Sequence, residues 1–249
     1  MVEIKTPGEI EAVRSAGRVV AQVLAAVREA AVAGTRLADL DQVARSTLAA
    51  AGAGSPFLGY RPRFAPVPFP AVICTSVNDA ALHGIPGRYR LAEGDLLSVD
   101  CGAVLDGWAA DAAVSFTIGP PSPSDARLIA TTEAALDAGI AAAVAGARIG
   151  DISAAIGAVG RAGGYGICTE FGGHGVGRRM HEDPSVPNEG SADHGLGIGP
   201  GWSSPSSRGS WPGAATATAS TTTAGPSAAR TAAAPRTPST PSPSPMTAR

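Results

Sequence analysis

Asp100 and Asp111 lie in two strand-like runs, "LLSVDCGAV" and "WAADAAVSF", joined through Asp106-Gly107. An Asp-Gly pair between apolar, β-prone runs is a strong hairpin signal. With Asp106 and Gly107 as the two turn residues, Asp111 pairs across from Gly102, and side-chain alternation puts residue 102 on the same face as residue 100. The two carboxylates are therefore predicted to be neighbours. Like charges so close in a sheet repel, and burying them without a partner is costly. A cation would resolve the conflict, whereas two wet aspartates on a solvated face would not need one.

The histidines favour the cation. "TEFGGHGVGRRMHEDP" surrounds His174 with four glycines, a backbone shaped for close approach, and His181 follows. His83 sits in "NDAALHGIPG", again followed by Gly and Pro. A single histidine beside glycines is an ordinary loop residue. Three of them with a carboxylate pair suggest a mixed nitrogen and oxygen metal site, although no spacing here is diagnostic alone.

These residues need elements to hold them. Thr6-Pro7-Gly8-Glu9 combines an N-cap, Pro at the first helical position and Glu three residues after the cap, predicting a helix from Pro7 to about Ala33. A second helix is expected from near Thr35 to Gly52, with Leu37, Leu40, Val43 and Leu48 as its apolar stripe. Residues 55–70 contain five prolines and read as loop. Strands follow in "AVICTSV", "DLLSVDCGAV" and "WAADAAVSFTI", then helices over Ser124 to about Ala147 and Asp151 to Ala162. "EAAVAGTRLADLDQVA" (29–44) aligns without a gap with "AAAVAGARIGDISAAI" (141–156), matching Gly34, Arg36 and Asp39 to Gly146, Arg148 and Asp151. A duplicated helix-helix-sheet unit explains this repeat, and it requires strands in the second half too.

Composition narrows the partners. A formal net charge of −2 and no basic patch give no reason to expect nucleic acid. The start of the chain does not read as a signal peptide, and no run approaches a membrane span. Cys74, Cys101 and Cys168 are odd in number and lack metal-site spacing, so free thiols in a reducing, cytoplasmic compartment are expected.

In "ICTSVNDAALHGIPG", "LLSVDCGAVLDGWAADAAVSFTIG" and "GGHGVGRRMHEDPSVPN", taken in order, the chain resembles the type I methionine aminopeptidases. The resemblance runs to about Gly190 and implies an α+β pita-bread fold, a pseudo-twofold duplication that agrees with the repeat. It implies that Asp100, Asp111 and His174 are three of five ligands to two divalent ions (Co, Mn, Fe or Zn), with Asp111 bridging. His83 and His181 match the histidines that contact substrate and assist proton transfer. Phe57, Tyr60, Cys74 and Met180 match positions around a methionine pocket, Met180 replacing an aromatic often found there. The implied activity is removal of N-terminal methionine from peptides and nascent chains near the ribosome, by a monomer. Two divalent ions would activate water and polarise the scissile carbonyl.

The tail departs from that pattern. The family supplies two more ligands, both glutamates, in "IEP" and "EHT" contexts, but no acid follows Asp193 here. Residues 203–235 hold no Leu, Ile, Val, Phe, Asp or Glu. The expectation is therefore an incomplete pita-bread domain over 1–190 and a low-complexity tail without fixed structure over 191–249. The genetic code suggests why. With permitted codons, the reading one base earlier gives A-I-E-P-W-F-L-A from the last base of Ser204, and A-A-H-A-E-H-T-V-A-V-T-D over Pro235 to Met246. Both missing motifs arise in one frame and in family order, consistent with a one-base slip between about Gly190 and Gly201. A chain read this way has little or no peptidase activity. The other reading is a non-catalytic pita-bread binding protein whose Pro/Ser/Thr tail is a flexible arm.

Overall fold

Thr6 caps the first helix as its sequence requires: Glu9 N donates to its hydroxyl, and its own N–H donates to Glu9 Oε2 at 2.8 Å. The computed structural model describes residues 2–63 and 65–199, together with the backbone of Thr223–Ala224. Helix α1 (Pro7–Ala30) is followed by α2 (Leu37–Ala50), and then by β1 (Ile73–Val77), β2 (Leu96–Leu105) and β3 (Trp108–Thr117) in one antiparallel sheet of order β1-β2-β3. Helix α1 stops three residues before the expected Ala33. The chain turns there at Gly34 (φ 91°), whose N–H donates to Leu91 O at 2.7 Å.

The hairpin forms as its turn residues dictate. Asp106 and Gly107 both have positive φ, 52° and 78°, and Leu105 pairs with Trp108. That turn sets the register of β2 on β3, including Gly102 opposite Asp111. Alternation then sorts the sheet. Leu97, Val99, Cys101 and Ala103 of β2, with Ala110 and Phe116 of β3, pack with Val20, Val23 and Val27 of α1 and Leu40 of α2 in one core. Asp100 and Asp111 stand on the other face, joined by Cys74 of β1, which pairs with Asp100.

Asp41 of α2 pins the start of β1. This carboxylate is 6% exposed, accepts from Val72 N at 2.8 Å and Ile73 N at 3.4 Å through Oδ1, and takes Arg45 Nε on Oδ2 at 2.6 Å. It satisfies backbone donors that a strand beginning beside a helix would otherwise bury unpaired.

The second half repeats the plan. Helix α3 (Pro123–Ala142) packs on α4 (Ile149–Ala162), with Gly139 against Ile156, where a Cβ would collide with the isoleucine side chain. Helix α3 ends short of the expected Ala147 because Gly146 (φ 95°) makes the same turn as Gly34. The match extends to single hydrogen bonds. Gly34 N, Leu37 N and Ala38 N donate to the carbonyls of Leu91, Tyr89 and Gly87; Gly146 N, Ile149 N and Gly150 N donate to those of Ile198, Leu196 and His194. Leu91 N and Ile198 N return to Thr35 O and Ala147 O.

Three short strands follow: β4 (Gly166–Ile167), β5 (Gly172–Gly175) and β6 (Glu182–Pro187). β5 pairs with β6, and β4 pairs with β7 (Thr223–Ala224). Val186 and Ile198 bury against Ile152 and Ile156, so packed structure continues past residue 190 through Ile198. The rest of the expected low-complexity tail, beyond residue 199 and apart from the β7 backbone, lies outside the described residues.

Replacing Asp41 by Ala is expected to cost about 2–3 kcal/mol, since it strands the buried Val72 amide and takes the carboxylate from Arg45. Urea denaturation monitored by circular dichroism measures it.

Candidate metal centre and substrate cleft

The face of the sheet turned away from α1 and α2 carries the chemistry. Asp111 is 5% exposed and Asp100 is half-buried, and the Oδ1 atoms of both are sealed from solvent with no hydrogen-bond partner among the described residues. Burial, then the neighbouring Asp111 charge, drives the Asp100 carboxyl well above the ordinary carboxylate range. Burial also raises Asp111, against a lowering hydrogen bond from Asp100. Repulsion from Asp111 thus adds to burial at Asp100, whereas at Asp111 the hydrogen bond from Asp100 and the His174 charge oppose it.

His174 approaches from the second half. Strand β5 can lie against β6 because its glycines leave room: a Cβ on Gly172 or Gly175 would strike the backbone of Val186 or Asp183. His174 Nδ1 donates to Gly175 O at 3.0 Å, since a carbonyl can only accept. Its Nε2 lies 3.8 Å from Asp111 Oδ2. A carboxylate pair with orphaned oxygens and a facing imidazole nitrogen fit a hard or borderline divalent cation. The set is partial: among the described residues no three His, Cys, Asp or Glu side chains are gathered as a complete ligand cluster.

The other histidines line the approach. His83 has φ 57°, a left-handed conformation uncommon outside glycine, and is held in it by the next residue. Gly84 O accepts from Thr75 N at 2.8 Å, and Gly84 N donates to Ser76 Oγ at 3.2 Å, clamping the turn onto β1. The ring of His83 meets Phe171 edge-on at 5.5 Å, and burial lowers its pKa. His181 lies 4.4 Å from the His174 ring and 5.6 Å from the Tyr60 ring, between centroids. It remains exposed at the rim, yet desolvation by these neighbours, then the charges of His174 and His83, lowers its pKa to about 4. At neutral pH it is a base, not an acid.

Of the expected pocket residues, Phe57, Tyr60 and Cys74 lie near Gly102, His181 and Asp100. Phe57 is buried, edge-on to Phe69 at 6.5 Å, and with Pro56 leaves no space for a side chain at Gly102. Tyr60 is exposed beside His181. Cys74 is buried beside Asp100, and desolvation followed by the charges of Asp100 and Asp111 pushes its thiol up, so it is a neutral wall rather than a nucleophile. Met180 is half-buried immediately before His181. Phe171, packed on His83, was missed in the sequence; its signal is one aromatic directly before the glycine run.

Comparison with known proteins places this arrangement in a class. The profile of metallopeptidase family M24 matches residues 11–201. The solved structure of a prolidase from Pyrococcus furiosus, 21% identical with a TM-score of 0.65 over 76% of this chain and 53% of that one, shares the pita-bread fold. Nearer relatives are more specific. The chain is 46% identical over 202 residues to methionine aminopeptidase 1 of Mycobacterium tuberculosis, covering 78% of this chain and 74% of the relative. It is 43% identical over 196 residues to the methionine aminopeptidase of Clostridium acetobutylicum, covering 78% and 76%. The crystal structure of the Thermotoga maritima methionine aminopeptidase superposes with a TM-score of 0.75 at 34% identity, covering 81% of this chain and 79% of that one. This chain belongs to metallopeptidase family M24, in its methionine aminopeptidase branch.

Two outcomes follow from the charges. Asp100→Asn is expected to stabilise the metal-free protein by about 1–2 kcal/mol at pH 7, by removing a buried like charge. The same change should abolish Mn²⁺ uptake; thermal melts and isothermal titration read the two effects. For His181 the folded pKa lies below the unfolded value, so its share of stability is present above about 6.5 and is lost as pH falls toward about 4. His181→Gln should flatten the melting temperature across that window relative to the parent.

Proposed function

We propose that the chain descends from an enzyme that uses two divalent cations to remove N-terminal methionine from peptides and nascent chains, in the cytoplasm and as a monomer. We further propose that, as written, it lacks what its second half should contribute to the cation site. Bound at Asp100, Asp111 and His174, the cations would supply an activated water and a polarised carbonyl. The chain's own residues do the rest. Phe57, Tyr60, Cys74 and Met180 enclose an unbranched apolar side chain. His181, neutral at pH 7, accepts a proton at the cleft rim. His83, fixed by Gly84 on β1, faces the same cleft and orients the peptide.

The repeated hydrogen bonds carry the second part of this reading. They equate Leu91 with Ile198, an offset of 107 residues. The same step from Asp100 arrives at Ser207, where the repeat calls for a carboxylate and the written chain has a hydroxyl. Gly94 likewise maps onto Gly201. Writing Gly201 to Arg208 as GGA TGG TCC TCG CCA TCG AGC CGT and starting at the last base of Gly201 gives M-V-L-A-I-E-P. Its V-L-A-I-E falls in register with Leu96-Leu97-Ser98-Val99-Asp100, an apolar strand ending in an acid. The family profile also stops at residue 201 although the chain runs to 249. A slip of one base at or just before Gly201 accounts for all of this, and narrows the interval suggested by the codons alone.

Resequencing the DNA across codons 190–205 tests the slip directly, and an unaltered run that agrees with close relatives removes it. In parallel, the written chain should show no turnover of Met-Ala with Mn²⁺ or Co²⁺. A chain with the single base restored should show turnover. Activity of the written chain would refute the loss.

A further inference from the structure

The loop that carries His181 is tied down from a distant part of the chain. Lys5 Nζ donates to Glu182 Oε2 at 2.8 Å and to Glu3 Oε2 at 2.9 Å. The Lys5 and Glu182 side chains are only 8% and 7% exposed. The other oxygen of that carboxylate, Glu182 Oε1, accepts from Arg179 N at 3.0 Å. Gly177 N donates to Arg179 O at 3.2 Å, and Gly177 O accepts from Ala109 N on β3 at 2.7 Å. Gly177 has no room for a Cβ because the Glu182 carboxylate occupies that space. Arg178 lies with its guanidinium 4.0 Å from the Trp108 ring centroid, and Lys5 Nζ lies 5.9 Å from the same ring. Val13, Trp108 and Val176 form a small core under the cluster.

We infer that Lys5 is a positioning residue for His181: by fixing Glu182 in a buried ion pair, it folds the 176–182 loop so that the His181 ring stands against His174 and Tyr60. The argument is one of connectivity. Among the described residues His181 makes no hydrogen bond, and it is followed directly by a carboxylate whose two oxygens join α1's leading segment to the loop backbone. A buried carboxylate deprived of its cation is strongly disfavoured and seeks water. Glu182 would then rotate outward, release Arg179 N and take His181 with it. The leading segment at residues 3–5 thereby acts on the cleft from the other half of the molecule. This role rests on the reading of His181 as the base of the cleft, but its first test does not.

The test compares the full chain with Lys5→Met and Lys5→Arg by NMR. In the parent, nuclear Overhauser contacts link the His181 and Tyr60 rings. Lys5→Met should lose these contacts and speed exchange of the Arg179 amide at least tenfold, while amides of β2 and β3 such as Val99 exchange as before. Lys5→Arg, which keeps a cation on Glu182, should restore both. Lys5→Met combined with Glu182→Gln removes the tie without leaving an unpaired buried charge, and should release the loop even if the single variant does not fold. Retained His181–Tyr60 contacts in Lys5→Met or in the double variant, or equal acceleration of every amide, overturns the positioning role. If the loop is released as expected but His181→Gln leaves turnover of the frame-restored chain unchanged, the reading of the cleft falls instead.

Discussion

Two like charges on one face of a hairpin are the constraint around which this molecule is arranged. Asp100 and Asp111 are brought together by a two-residue turn, and each has a sealed oxygen without a partner among the described residues. A sheet face of this kind is unfavourable in isolation. The favourable terms lie on its reverse, where the alternate residues of β2 and β3 bury against α1 and α2. The first half thus uses a well-packed apolar layer to hold a strained polar one, a division set by the period of two along a strand.

The second half contributes groups to that polar face through close backbone approach rather than through a large core of its own. Its apolar cluster is smaller, built on Ile152, Ile156, Val186 and Ile198. Glycines at 172, 175 and 177 let β5, β6 and the intervening loop pack tightly enough to set His174 near Asp111. The hydrogen bonds shared by Gly34 and Gly146, and by Leu91 and Ile198, give both halves the same scaffold. Residues 203–235 hold no Asp or Glu, so that stretch carries no carboxylate.

Electrostatics divides the cleft in two. At its floor burial raises both carboxyls, and the Asp111 charge adds to that at Asp100. At its rim, His181 is pushed the other way and stays neutral where an ordinary histidine is partly charged. Both shifts begin with desolvation. The same low-dielectric surroundings therefore favour the uncharged form of the groups at both floor and rim.

Much of this was legible in the sequence because it depends on local chemistry. The Thr6–Glu9 capping box, the Asp106-Gly107 turn and the Gly102–Asp111 register are set by residues within a few positions of one another. The helix ends were less legible: α1 and α3 stop early because Gly34 and Gly146 bond to Leu91 and Ile198, which are remote in sequence. Only the tertiary structure decided which distant groups meet. Nothing near Lys5 marks it as the partner of Glu182, and nothing near Asp41 marks it as the anchor of β1, since each pairing joins segments separated by a long stretch of chain. Spacing conveys what a backbone does within a turn or a strand. Which buried charges find each other is settled when distant segments pack together and water is excluded between them.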